Sequence, residues 1–270
     1  HEVVVYEAAD RPGGQVRLTA QSPRRREMIG IIDWRMSQCE ALGVTFHFNS
    51  WAEAETIRAE QADVVIIATG GYPHTEVLEA GNELVVSAWD ILSGDVKPGR
   101  NVLLFDDAGD HTALQAAELI AQSGAKLEIM THDRSSAPEV MAMNLVPYMR
   151  ALQQLDTTFT VTYRLASVAR EGQTLVAQID SDYGGVRKQR HIDQVVVNHG
   201  TRLMDDLYLE LKPYSRNLGA VEYADLIHGQ PQQRDDNPAG EFQLFRIGDA
   251  VAARNTHAAI YDALRLVKDL

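Results

Sequence analysis

The opening residues, HEVVVYEAADRPGGQ, place an apolar strand ahead of Glu7 and a turn carrying Gly13 and Gly14 after it. Ser22-Pro23 marks a helix start, a cap residue followed by proline at the first helical position. Met28, Ile29, Ile32, Met36 and Cys39 then recur at helical spacing until Gly43. Val44 to Phe48 and Asp63 to Ala68 read as strands, the second running into Thr69-Gly70-Gly71. A new unit starts near Gly99, with a strand at Val102 to Phe105 and a helix from Asp110 to Ser123. Asp110 caps that helix, Gly124 lies just past its end, and Lys126 to Met130 is the next strand. From Phe159 to Asn198 the pattern changes to strands divided by turns at Glu171-Gly172 and Asp182-Tyr183-Gly184-Gly185. A last strand at Phe242 to Ile247 leads into Gly248-Asp249 and a helix from Asn255 onward, and 235–240 reads as a loop.

Strands alternating with helices predict an α/β fold with two Rossmann-like units of the FAD/NAD(P)-binding type, parallel sheets and a β-meander insertion. Residues 1–97 and 213–270 form the FAD/ADP-binding-like domain on this reading, and 98–212 the NAD(P)-binding-like one. A faint repeat supports the pairing: VVVYEAADR from Val3 resembles LEIMTHDR from Leu127, which sets Thr131 opposite Glu7.

Composition narrows the classes. The 25 basic and 38 acidic residues give a formal charge of −13, which repels phosphate backbones, so no nucleic-acid partner is expected. No apolar run approaches the ~18 residues of a membrane span, and no membrane contact is expected. The single Cys39 excludes an internal disulfide and a cysteine-built cluster within the chain, and a cytoplasmic location is the default. The histidines show no metal-ligand spacing, and no G-x-S-x-G elbow points to a hydrolase.

Glu7 stands where the second strand of a Rossmann unit places an acid on the adenosine ribose. The glycine loop for the pyrophosphate belongs about 20 residues earlier. On this reading the ribose half of a dinucleotide site is present, without the first strand and glycine loop. Gly13-Gly14 lets backbone approach a ligand. Ala68-Thr69-Gly70 ends a strand, where an open parallel sheet puts its ligand. Gly248-Asp249 precedes a helix whose dipole favours a phosphate, and Asp249 can accept from a ribityl hydroxyl. Taken singly, each is an ordinary turn or solvated residue; their order carries the inference.

The motif E-A-x-x-R-x-G-G-Q (Glu7, Arg11, Gly13, Gly14, Gln15), then A-T-G-G from Ala68, then I-G-D-A from Ile247, resembles the C-terminal half of the NADH:flavin oxidoreductase and old yellow enzyme family. That group includes 2,4-dienoyl-CoA reductase and trimethylamine dehydrogenase. The segment APEVMAMNLVPYMRAL, behind Asp133-Arg134, is more similar to the N-methylproline (stachydrine) and dimethylglycine demethylase branch. The resemblance covers nearly all of the chain. It implies FAD or ADP in the first unit, on Glu7, Arg11, Gly13, Gly14, Gln15, Ala68, Thr69, Gly70, Gly248 and Asp249. It also implies a missing N-terminal TIM barrel with FMN, a 4Fe-4S cluster and the substrate, and an external electron-transfer protein. The chain would then be the electron-transfer scaffold of a flavin-dependent oxidoreductase acting on an N-methylated amine or amino acid. It would have no catalytic residue of its own, be inactive alone, and leave a strand edge through which a homo-oligomer could form. The rival readings are an NAD(P)H-dependent enoyl reductase of the same group and a non-catalytic ADP-binding module.

The second unit departs from a pyridine-nucleotide site. A G-x-G-x-x-G loop would set its glycines at Asp106, Ala108 and His111, and Thr131 replaces the acid, so NAD(P)H is not expected. Arg24-Arg25-Arg26 opposes a helix dipole and reads as a solvated face, with an acidic ligand or a contact with the missing barrel as the alternatives. Met141, Met143 and Met149 read as core or interdomain packing, and His257 as a helix N-terminal residue.

Overall fold

The computed structural model describes residues 1–268. Strands β1 (Val4–Tyr6), β2 (Thr45–His47), β3 (Val64–Ile67), β4 (Gly71–Pro73) and β5 (Val85–Ser87) are interspersed with helices α1 (Gly14–Thr19), α2 (Ile29–Ala41), α3 (Ala54–Ala59) and α4 (Ala88–Ser93). Next come β6 (Asn101–Asp106), α5 (His111–Gln122), β7 (Lys126–Met130), α6 (Ala142–Leu152) and β8 (Thr157–Thr160). Five strands follow: β9 (Tyr163–Glu171), β10 (Thr174–Ser181), β11 (Arg187–Ile192), β12 (Gln194–Asn198) and β13 (Thr201–Leu203). The described chain ends with α7 (Asp206–Leu211), α8 (Tyr223–His228), β14 (Gln243–Arg246) and α9 (Thr256–Val267).

The contacts gather into two compact units. His1–Val16, Gly30–Tyr72 and the residues from Thr201 onward make one; Arg17–Ile29 and Pro73–Gly200 make the other. The sequence places the joins at 97 and 212 instead. The difference at the first join has a plain cause: β5 pairs with β12, so the strand and helix before residue 97 belong to the second unit's sheet.

In the first unit β1 runs parallel to β2, and β3 parallel to β14. Val65 and Ile67 of β3 pack with Leu244, Phe242, Leu211 and Ala250. In the second unit five parallel strands lie in the order β5-β12-β6-β7-β8. β6 is apolar throughout its middle because both of its faces are covered. Val102 and Leu104 point towards α4, α5 and α6, packing with Leu114, Ile120, Tyr148 and Leu152. Leu103 and Phe105 point the other way, onto Leu165, Val168, Ala177 and Ile179. Those residues belong to a three-stranded antiparallel sheet, β11-β10-β9, that takes the place of helices on that face.

Local signals explain the helix ends. Asp110 accepts from Thr112 N (2.9 Å) as the α5 cap, and Ser87 and Asp90 form a reciprocal capping box on α4. Ser22 does not cap as expected. Its buried hydroxyl makes no cap bond, Pro23–Met28 is a 3-10 segment with a non-helical Arg25, and α2 begins only at Ile29. The adjacent arginines have partners that compete with a regular first turn: Arg24 pairs with the buried Glu118, and the Arg25 guanidinium lies 2.8 Å from His111 Nε2. The solvated-face reading of the arginine run therefore fails at Arg24. Only Met149 of the three methionines packs in the core, beside Leu145, Tyr148 and Leu152. Met143 falls off that stripe and Met141 precedes the helix, leaving both exposed.

Candidate nucleotide site

The ends of β3 and β14 emerge side by side, since Ile247 N donates to Ile67 O (3.0 Å) and extends their parallel pairing. This register sets Ala68-Thr69-Gly70 next to Gly248-Asp249 at the carboxyl ends of parallel strands, where open α/β sheets receive ligands. The Thr69 hydroxyl donates to Met204 O and fixes the first turn. Asp249 anchors the second: Oδ1 accepts from Arg254 N (3.1 Å) and Oδ2 from Gln15 Nε2 (2.8 Å). Gln15 thereby ties the Gly13-Gly14 turn to the Gly248-Asp249 turn across 234 residues of sequence.

Glu7 extends the β1–β2 pairing, its N–H donating to His47 O (2.9 Å). Its Oε1 accepts from Ala9 N (2.9 Å), and its second oxygen makes no hydrogen bond among the described residues. Gly14 and Gly70 both have left-handed backbone (φ 43° and 72°), and a Cβ on either would meet nothing within 4 Å. Backbone is thus bared to open space at two turns of the constellation. Arg11 pairs with Asp10 (3.3 Å), both largely exposed, and bonds to none of the other candidates.

Two residues escaped the sequence motifs. Asp262, on α9, accepts from Gly248 N (3.3 Å) and pairs with Arg254, so it holds the Gly248 turn against its own helix. Their only signal is opposite charge eight residues apart. His257 stacks on Tyr261 with ring centroids 6.5 Å apart.

The second unit handles the equivalent place differently. Asp106, at the end of β6, is fully buried, and burial pushes its carboxyl up to about 7. Asp107 accepts from His199 Nδ1 (3.1 Å), with His132 Nδ1 at 3.0 Å; that histidine bond holds its carboxyl below the usual range. Thr131 is buried after β7, and its Oγ1 accepts from Asp133 N (3.1 Å), the same bond to a position two residues on that Glu7 makes to Ala9. Among the described residues no group of three or more His, Cys, Asp or Glu is arranged to hold a metal ion. No helix among them is long and apolar enough to cross a membrane.

Parallel β-turn-α units with glycine turns at strand ends give the chain an α/β fold built on parallel sheets. The solved thioredoxin reductase of Lactococcus lactis shares this fold, with a TM-score of 0.67 over 97% of this chain and 87% of that one at 16% identity. Over nearly its whole length the chain is similar to one part of several curated demethylases, dehydrogenases and reductases. It is 74% identical over 270 residues to a probable N-methylproline demethylase of Rhizobium meliloti, and 42% over 280 residues to the N,N-dimethylglycine/sarcosine dehydrogenase of Chromohalobacter salexigens. Each match takes in 100% of this chain and 40% of the relative. A multifunctional alkene reductase/demethylase of Caballeronia cordobensis is 35% identical over 98% of the chain, again 40% of that protein. A solved 2-naphthoyl-CoA reductase superposes with a TM-score of 0.78 at 26% identity, covering 98% of this chain and 36% of that one. The chain thus spans about 40% of the length of the curated relatives it matches. No family model matches it.

Proposed function

We propose that this chain is the nucleotide-binding and electron-transfer scaffold of a flavin-dependent oxidoreductase that demethylates an N-methylated amino acid or amine. The Gln15–Asp249 bond is the observation that supports it best, because it draws the Gly13-Gly14 and Gly248-Asp249 turns into one constellation. FAD, or its ADP part alone, fits the residues present. The free oxygen of Glu7 suits a ribose hydroxyl, the bared backbone at Gly14 and Gly70 suits close approach, and Asp249 has lone pairs left for a ribityl hydroxyl. Arg11, Gln15, Ala68, Thr69 and Gly248 complete the set.

A bound flavin would supply two-electron acceptance and onward transfer; the chain's own residues bind and orient it. The remaining length of the relatives leaves room for a TIM barrel with FMN, a 4Fe-4S cluster and the substrate pocket, and an external electron-transfer protein would take the electrons. The substrate class rests on the names of the two demethylating or dehydrogenating relatives. The alkene reductase relative favours one second reading, an enoyl reductase fed by NAD(P)H.

Denaturing a purified protein that carries this chain with the full length of its relatives, then identifying the released groups, tests the proposal. FAD or ADP, with FMN and iron, is expected. Release of no adenine nucleotide would refute the first-unit site. Rapid flavin bleaching by micromolar NADPH without amine would favour the reductase.

A further inference from the structure

We infer that Asp106 is a built-in substitute for a nucleotide phosphate, and that the second unit is fastened shut around it and takes no nicotinamide dinucleotide. The argument starts from the turn between β6 and α5. In a parallel β-turn-α unit this turn and the following helix end present backbone N–H groups to a ligand's anionic group. Here the Asp106 carboxylate takes that place: Oδ1 accepts from Gly109 N (2.9 Å) and from Asn198 Nδ2 (3.1 Å). Asn198, at the end of the neighbouring β12, also donates to Asp110 Oδ1 (3.0 Å). One amide therefore bridges the strand-end carboxylate and the carboxylate that caps α5.

The second wall of the cleft is stapled to the first. A dinucleotide would lie between the β6–α5 turn and the loop after β7. Glu139 N, in that loop, donates to Gly109 O (3.0 Å). Gly109 has φ 68°, and a Cβ there would lie 2.6 Å from Pro138 Cδ, so the proline sits directly on the turn. Ala137 and Val140, on either side, are buried in the apolar core beneath α5. Opening this cleft would break a hydrogen bond and expose core side chains.

Amide exchange read by NMR on the chain tests this, with NADPH as the probe. The oxidoreductase reading supplies only the choice of probe; the amide readout stands without it. In the parent chain, residues 106–111 and 137–140 should show no saturable shift up to millimolar NADPH. Asp106→Ala should speed Gly109 amide exchange at least tenfold relative to Leu104, whereas Asp106→Asn, which keeps an acceptor oxygen, should retain most of the protection. Saturable NADPH shifts at 106–111, or Gly109 protection unchanged in Asp106→Ala, would overturn the inference. Should Asp106→Ala fail to fold, the parent titration and the Asp106→Asn exchange rate still decide it, since loss of protection in the asparagine variant alone would refute the acceptor role.

Discussion

Replacing Asp106 by asparagine should remove a pH dependence that the parent protein carries in its stability. The Asp106 carboxyl stands at about 7 in the fold against an ordinary 3.8, chiefly because burial penalises its charge, with Asp110 adding repulsion. Between those two pH values the native state binds a proton that the unfolded chain has released, so unfolding free energy falls as pH rises. A separation of about 3 pH units at ~1.4 kcal/mol each gives a contribution of about 4 kcal/mol, complete below pH ~4 and gone above pH ~7. Bonds from Gly109 N and Asn198 Nδ2 pull the other way and are already contained in that figure. Asparagine cannot ionise, keeps an acceptor oxygen for Gly109, and so should be less sensitive to pH. Urea titrations of both proteins from pH 4.5 to 8.5 give the stability difference at each pH, in which other groups, such as Asp107 with its opposite trend, cancel. The variant should gain on the parent by roughly 3 kcal/mol across this range. A difference constant to within about 0.5 kcal/mol would refute the buried, titrating carboxylate.

Other substitutions probe other links. Glu7→Ala in a protein of the relatives' full length should weaken adenine-nucleotide retention about tenfold, the worth of one charged-group hydrogen bond; unchanged occupancy after gel filtration would remove Glu7 from the site. Gln15→Ala should free Asp249 Oδ2, leave the Arg254 N bond to Oδ1, and weaken the same retention less than Glu7→Ala does, with no change in thermal midpoint beyond a few degrees. Arg24→Ala strands Glu118, whose side chain is only 5% exposed, and should cost about 3 kcal/mol; Glu118→Gln in the same chain should recover part of it, which chemical denaturation measures. Gly71→Ala would drive a Cβ to 2.3 Å from Arg202 O, a backbone atom that cannot step aside, and should cost about 2–3 kcal/mol by the same assay.

Elements whose pattern is a local property were legible. The apolar run of β6, the Asp110 cap of α5 and the Gly124 stop could be read from residues within a few positions of one another. The β9–β10 turn at Glu171-Gly172 was equally local. What escaped depends on distant partners. Ser22 fails as a cap because its neighbours Arg24 and Arg25 are drawn to Glu118 and His111 on α5, about 90 residues away in the chain. The join near residue 97 escaped because β5 is a three-residue strand whose place is fixed only by pairing with β12. Among the candidate site residues the motif positions were visible one by one, while the Gln15–Asp249 bond that joins two of their turns was not. Asp262 was invisible, since an acid within an amphipathic helix looks solvated until the helix is folded back on Gly248.

Glu7 and Thr131 show how one backbone plan serves two ends. Each closes a strand with a side-chain oxygen that accepts from the N–H two residues on, which is the repeat in the sequence made physical. A carboxylate that spends one oxygen on its own turn keeps a second for a ligand hydroxyl; a threonine has a single oxygen, and here it is buried. The flanking turns follow the same division. Beside Glu7 the constellation leaves open space at Gly14 and Gly70, whereas in the second unit Gly109 is covered by Pro138 and bonded to Asp106. Restoring the acid at 131 could not by itself restore a site, because the donors for a phosphate are already spoken for by a carboxylate that cannot leave. Thr131 therefore lacks the second oxygen that Glu7 keeps, and Gly109 is covered where Gly14 and Gly70 are open.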